Sequence, residues 1–292
     1  MGDKNMKLGF VGFGAMPKRM AARLRDAGFQ ATVFDPYLKP DAIEGFKSVD
    51  SAPDLAREVE AILVAVPNDA ALAKSMTGPG GALEGAREGQ LLLNFSTVSP
   101  SASKRLAEAA AAQGVRYVET PMSGSTPEAE SGKLVFLAGG RPEDIDAAKP
   151  ILEVIGRRTV RIGEAGDGAV AKLIVNGIMA TGTNALAEGL AYAARAGVDR
   201  DTLIDVLSDL ILVSEHHKRK LAMARANDFP PQFPTRLMSK DMGLLLDDTR
   251  ERGVSVPGMA AVAQLYAHAA RVRPDDDYAS AIAVAEELAN DN

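Results

Sequence analysis

Through its first 165 or so residues the chain alternates short apolar runs with alanine-rich helical stretches, and after Gly168 that alternation stops. This change of period limits the possible folds more than any other feature. The strand candidates are Lys7–Val11, Ala31–Asp35, Ala61–Val66, Gln90–Asn94, Arg116–Glu119 and Leu134–Ala138, with amphipathic segments such as Arg19–Ala27 and Ala102–Gln113 between them. Strand-then-helix repetition predicts a parallel sheet with helices on both faces, ending near Val160–Ile162 before the turn GEAGDG. Ala169 to Ala196 contains no proline and reads as one helix of about 28 residues, roughly 40 Å long. Helical patterns follow at Asp201–Ser208, His216–Ala226, Ser239–Arg252, Gly258–Ala270 and Tyr278–Asn290. The expected fold is therefore α/β: a doubly wound parallel sheet over residues 1–165, then an all-α domain over 166–292, joined by a long helix. A cleft at such a junction is a common place for a ligand.

Composition narrows the function. The chain has 292 residues, 46% hydrophobic and 25% charged, enough for two globular domains with cores. A net charge of −6 gives no basic surface for nucleic acid. Cysteine is absent, which excludes disulfides and thiolate chemistry and fits a reducing compartment. The opening MGDKN is polar and no stretch of about 18 apolar residues follows, so no signal segment or membrane span is expected. A cytoplasmic protein is the expectation. Three histidines without cysteine make no zinc ligand set, so no metal is expected.

The first strand candidate leads into KLGFVGFGAMPKRM, Lys7 to Met20. Gly12 and Gly14 occupy the first two positions of G-x-G-x-x-G, and Pro17 stands at the third. Gly12 permits the tight turn, Gly14 lets a pyrophosphate approach the backbone, and amides at the helix start hold the phosphates. Gly12, Phe13, Gly14, Ala15 and Met16 are thus candidates for cofactor binding. Pro17 falls in the first helical turn, where its missing N–H has no intrahelical partner anyway. It removes one amide and leaves the motif standing. An acidic residue is expected about 20 residues on, and Asp35 is there. Its carboxylate would bind the adenosine ribose hydroxyls and repel a 2′-phosphate, which favours NAD and leaves NADP open. The alternative is a plain strand–turn–helix with incidental glycines.

Four later segments carry the candidate chemistry. NFSTVSP, Asn94 to Pro100, sits at a strand's carboxyl end, where ligands bind in such sheets; Ser99-Pro100 alone reads as a helix start. In ETPMSGSTPEAESGKL, the run Ser123-Gly124-Ser125 can present a hydroxyl and backbone amides to a carboxylate, or be an ordinary turn. In GDGAVAKLIVNGIMA, Lys172 and Asn176 share one helical face amid Val170, Leu173, Ile174, Val175 and Ile178. A helix apolar on nearly all sides is buried, and a desolvated lysine exchanges a proton near neutral pH; the other reading is a lysine snorkelling at a helix start. In FPTRLMSKDMGLLL, Lys240 and Asp241 open a helix behind Ser239 as N-cap, or simply compensate its dipole.

Taken in order, GFGAM, FSTVSP, PMSGS, GAVAKLIVN and FPTRLMSKD resemble the β-hydroxyacid dehydrogenase family, of the 3-hydroxyisobutyrate dehydrogenase type, over about residues 6 to 289. SGSTPEAESGKL and FPTRLMSKDM look most like its glyoxylate and succinic semialdehyde reductase branch. The resemblance implies a Rossmann-type domain, a helical domain, and homodimers or homotetramers built through the latter. It implies a hydride transfer between a nicotinamide cofactor and a small hydroxy acid or aldehyde acid. Carried over by position, Lys172 is the acid/base and Asn176 orients the substrate beside it. Ser123, Gly124 and Ser125 hold a carboxylate substrate. Thr97 lies near the nicotinamide, Lys240 closes over the cofactor, and Phe233 and Asp241 shape the pocket. Val66, Pro67 and Asn68 line the adenosine side. VFDPYLK departs from the arginine-bearing segment of the NADPH-using reductases, so branch and cofactor preference pull apart. An imine reductase-like enzyme and a redox-inactive NAD-binding module are the rival readings; Lys172 counts against the first, and the intact carboxylate loop against the second. His216–Lys220, HHKRK, reads as a solvated helix end, and Leu210–Glu215 with Phe229–Arg236 as the segments that select the substrate.

Overall fold

A computed structural model describes residues 6–38 and 45–290; the MGDKN start and Lys39 of VFDPYLK lie outside them. Two compact units divide the chain, Met1–Lys172 and Leu173–Asn292.

The first unit is built on β1 (Lys7–Val11), α1 (Ala15–Asp26), β2 (Gln30–Phe34), β3 (Lys47–Ser48), α2 (Ala52–Glu58), β4 (Ala61–Val64), α3 (Asp69–Met76) and β5 (Leu91–Asn94). It continues with α4 (Pro100–Ala111), β6 (Arg116–Glu119), β7 (Met122–Ser123), α5 (Thr126–Ser131), β8 (Leu134–Gly140), α6 (Pro142–Ile155) and β9 (Gly156–Gly163). The strand order is β3-β2-β1-β4-β5-β6-β8-β7, with β9 beside β8. Strands β1 to β6 pair in parallel. Their side chains alternate between two cores, which is why these strands read as unbroken apolar runs. Leu8, Phe10, Leu63, Leu93 and Val118 pack with Met20, Leu24 and Ile151 on one face. Ile62, Val64, Leu92 and Tyr117 pack with Leu55, Leu106 and Ala110 on the other.

The wholly parallel sheet expected from the alternation needs one correction. Strand β8 pairs antiparallel with β6 and β7. The six-residue α5, closed by Gly132 in the left-handed region at φ 66°, is too short for the crossover that parallel pairing requires.

The second unit is all-helical. Helix α7 (Asp167–Ala196) enters it from the first unit, followed by α8 (Arg200–Asp209), α9 (Glu215–Ala226), α10 (Thr235–Glu251), α11 (Pro257–Val272) and α12 (Ala281–Asn290). One core gathers Leu186, Leu190, Ile204, Leu221, Phe229 and Ile282. The other gathers Met238, Met242, Val262, Tyr266, Tyr278 and Val284. Two expectations are corrected here. Helix α7 is not buried on all sides: Leu245 and Met259 press on it at Gly177 and His217 at Gly182, while Ile174 and Ile178 are 49% and 58% exposed. Helix α10 starts before Ser239. Thr235 N–H and Arg236 N–H donate to the carbonyls of Asp276 (2.9 Å) and Pro274 (3.1 Å), so a distant segment, not a local cap, opens the helix. Lys240 and Asp241 consequently lie in its second turn.

Candidate active site

The glycine turn sits where β1 meets α1, with β2 and β4 on either side of β1. The connections diverge at this point, and open α/β sheets bind ligands there. Gly12 has φ +87°, and a Cβ on it would lie 2.4 Å from the Ala65 carbonyl oxygen; no other residue fits. A Cβ on Gly14 would meet nothing within 4 Å, so this backbone is open to an approaching group. The first amides of α1 have no acceptor within the helix, and Pro17 is buried in that first turn. Phe13 contributes backbone only, its ring being buried against Phe10 and Phe46. Asp35 accepts the Phe13 N–H at 2.8 Å and the Tyr37 N–H at 2.9 Å, which holds a carboxylate over the turn. Open glycine backbone, free helix amides and a braced carboxylate fit a nicotinamide dinucleotide.

The neighbouring loops are laced to each other. Val66 N–H donates to Ser96 Oγ at 3.0 Å. Asn68 caps α3 by accepting the Ala71 N–H at 2.8 Å. Asp69 receives the Ser99 N–H at 2.9 Å and its hydroxyl at 2.5 Å, while Ser99 caps α4 in turn. Ser99 is thus a helix start. Pro67 and Asn68 are exposed, and Thr97 is half-buried between Ser96 and Val98.

Beyond β6, Ser123 is half-buried and Gly124 is exposed at φ +127°. A Cβ on Gly124 would press on Leu134 at 2.9 Å and Glu128 at 3.0 Å. Ser125 donates both its N–H and its hydroxyl to Glu128, each at 2.8 Å. Its donors are therefore committed, and those of Ser123 and Gly124 remain the candidates for a carboxylate. Lys172 is 8% exposed, in the second turn of α7.

In the second unit, Asn176 Nδ2 donates to Asp241 Oδ2 at 2.6 Å, and Lys240 Nζ pairs with Asp241 Oδ1 at 2.8 Å. A carboxylate only accepts, so the Asn176 amide is oriented with its nitrogen toward Asp241 and its Oδ1 away. That Oδ1 is buried without a hydrogen-bond partner. Phe233 packs edge-on against Tyr278 at 5.9 Å. Asn176, Lys240 and Asp241 are thus brought together, and Phe233 belongs to the same unit's core.

Two buried charges escaped the sequence. Lys220 is no solvated residue: it is 2% exposed, pairs with Asp277 Oδ1 at 2.9 Å and lies over the Tyr278 ring. His216, one turn earlier, is half-buried against the Tyr278 hydroxyl. The acidic partner of Lys220 lies far along the chain in a DDD run, which leaves no local signal. Glu119, the first residue of the ETPMSGS segment, is 1% exposed and bonds to the start of α7. Among the described residues no cluster of histidine, aspartate and glutamate could hold a metal, and no helix is long and apolar enough to cross a membrane.

Comparison with known proteins agrees with this layout. Residues 7–163 match the NAD binding domain of 6-phosphogluconate dehydrogenase, and residues 166–285 the NAD-binding domain of NADP-dependent 3-hydroxyisobutyrate dehydrogenase. A glyoxylate/succinic semialdehyde reductase of Arabidopsis thaliana is 34% identical over 264 residues, 89% of this chain and 91% of that one. A 3-hydroxyisobutyrate dehydrogenase of Pseudomonas aeruginosa is 32% identical, over 89% of this chain and 90% of its own. The solved structure of Mycobacterium tuberculosis 3-hydroxyisobutyrate dehydrogenase with L-serine superposes with a TM-score of 0.86 at 28% identity, covering 96% of this chain and 99% of that one. With a dinucleotide turn at its start, a buried lysine on its long helix and relatives matching both halves, the chain belongs to the β-hydroxyacid dehydrogenase family.

Proposed function

We propose that this protein transfers a hydride between a nicotinamide cofactor and a small hydroxy acid or the corresponding aldehyde acid, with Lys172 as general acid/base. The observation that carries the reading is the burial of Lys172 one turn from Asn176 on α7. A lysine ammonium is rarely withdrawn from water without a task. Residues 1–165 hold the cofactor, through Gly12–Met16, Val66–Asn68 and Thr97, with Asp35 reading the ribose and favouring NAD. Residues 166–292 supply Asn176, Phe233, Lys240 and Asp241 and the homodimer or homotetramer contacts. The apolar side chains of Ile174, Ile178, Ile211 and Leu212, exposed on a single chain, support that assembly.

When bound, the cofactor supplies or accepts the hydride. The hydroxyl of Ser123 and the amide of Gly124 hold the substrate carboxylate, so that the carbon to be reduced has one orientation. In reduction, charge gathers on the carbonyl oxygen and the Lys172 ammonium donates a proton to it. In oxidation, the neutral Lys172 amine takes the hydroxyl proton. Asn176, one turn along α7 and fixed by its Nδ2–Asp241 bond, orients the substrate beside the amine. The names of the relatives suggest glyoxylate and succinic semialdehyde as substrates to assay with NADH and NADPH, and 3-hydroxyisobutyrate in the reverse direction; tartronate and methylmalonate semialdehydes, aldehyde acids of the same class, complete the screen.

Removal of Lys172 provides the test. General acid–base catalysis contributes about 10²–10⁴-fold, so Lys172→Ala should lower turnover by at least that range while NADH binding, followed by fluorescence, stays intact. Near wild-type turnover in this variant would take Lys172 out of the mechanism.

A further inference from the structure

Glu119 has no part in the chemistry described above, yet few side chains of the first unit are so heavily engaged. It ends β6, just before the Ser123–Gly124 segment. Its Oε1 accepts the N–H groups of Gly166 (2.9 Å), Gly168 (2.6 Å) and Ala169 (3.4 Å). Its Oε2 accepts the Ser103 hydroxyl from α4. Ser103 also bonds to the Tyr117 hydroxyl at 2.7 Å, which Asn94 Nδ2 reaches at 3.1 Å. The gripped amides open α7, and Lys172 follows about one turn later.

The surrounding backbone is shaped for this carboxylate. A Cβ on Gly139 would lie 2.1 Å from Glu119 Oε1, and one on Gly168 would lie 2.9 Å from it and 2.3 Å from the Leu137 carbonyl. A helix that only needed capping has cheaper means, a short polar side chain from the preceding loop. Here the clamp comes from another strand, and burial raises the carboxyl's pKa against the pull of its hydrogen bonds. What a cross-strand clamp supplies, and a local cap does not, is a fixed distance between the end of β6 and the start of α7.

We infer that Glu119 is a positioning residue of the reaction: its carboxylate sets the register of the Lys172 helix against the strand end that leads into Ser123 and Gly124. The inference rests on the acid/base role of Lys172. Misplacing a catalytic group by about 1 Å can cost roughly 10²-fold in rate, and Glu119→Asp retracts the carboxylate by about one bond length while keeping its charge. Glu119→Gln keeps the length, its Oε1 still accepting the three amides and its Nε2 facing Ser103.

The full-length protein is assayed with NADH and the aldehyde acid that the wild type reduces best, beside Lys172→Ala. Glu119→Asp should lower kcat roughly 10- to 100-fold, with KM and the NADH dissociation constant changed less than about threefold, and Glu119→Gln should restore most of the loss. In parallel, acetylation of Lys172 by acetic anhydride, mapped by mass spectrometry, should change rate in Glu119→Asp and revert in Glu119→Gln; this readout needs no turnover and survives an inactive variant. If both Glu119 variants melt earlier but keep wild-type kcat and Lys172 reactivity while Lys172→Ala is dead, Glu119 is only structural and the inference falls alone. If Lys172→Ala stays active, the acid/base reading falls and the inference with it.

Discussion

Asp35 serves two functions at once. Its oxygens accept the Phe13 and Tyr37 amides, and a carboxylate with about four acceptor positions has room left for ribose hydroxyls. The same charge opposes a 2′-phosphate. Asp35→Ser should therefore raise the NADPH-to-NADH ratio of kcat/KM by roughly tenfold, about 1.4 kcal/mol, and Asp35→Arg should raise it further by offering a fork to the phosphate. Steady-state kinetics with both cofactors measures this; if neither variant moves the ratio, the ribose is read elsewhere. Single residues were legible where their meaning is local. Gly12, Gly14, Pro17 and Asp35 sit in a short stretch whose spacing states the geometry. Lys172 stood out because its helical neighbours are apolar, whereas Lys220, just as buried, hides in a run of charges and is explained only by Asp277. Glu119 read as an ordinary strand end, because nothing in its neighbourhood announces three amides arriving from residues 166–169.

At the scale of elements, the apolar period located β1, β6 and α7 to α9 closely, since burial of one face sets that period directly. It carries no information on strand direction, so it places β8 but not its antiparallel pairing, nor on helix starts made by distant carbonyls, so α10 begins ahead of its pattern. Helix α9 shows what a charged pattern conceals. His216 and Lys220 share its inward face, one turn apart. Burial, and then the charges of Lys220, His217 and Arg219, against Asp277, hold the His216 pKa down from 6.5 to about 4. Below pH 6.5 the unfolded chain binds a proton here that the folded chain refuses until about pH 4. The stability this site contributes is therefore present above pH 6.5 and lost as the pH falls toward 4, up to about 3 kcal/mol at about 1.4 kcal/mol per pH unit. Denaturant unfolding between pH 4 and 7.5 should show a steeper acid limb for the wild type than for His216→Gln, by up to one proton. Equal slopes would mean that His216 is not withheld from protonation.

The whole molecule has two centres of cohesion. The cores of the first unit draw on residues up to Ala165, and those of the second on residues from Met179 onward, with no residue in common. The second unit is tied at Asp277, which pairs with Lys220 and accepts the N–H groups of Gln232 (3.2 Å), Phe233 (3.1 Å) and Ala279 (3.0 Å). This one carboxylate thus closes the segment ahead of α10 onto α9. Asp277→Asn keeps the shape but removes the charge facing a buried ammonium, and breaking such a pair costs about 3–5 kcal/mol. The unfolding midpoint should drop by roughly 10 °C or more. The dinucleotide turn, Asp35 and their bracing bonds all belong to residues 12–37 of the other unit. NADH affinity, titrated by fluorescence well below the lowered midpoint, should then stay within about twofold of wild type, as expected for sites that share no bonding partner and whose effects add independently. A parallel loss of affinity would show that cofactor binding draws on the helical unit's own stability, and that the labour is not divided as the two sets of core residues indicate.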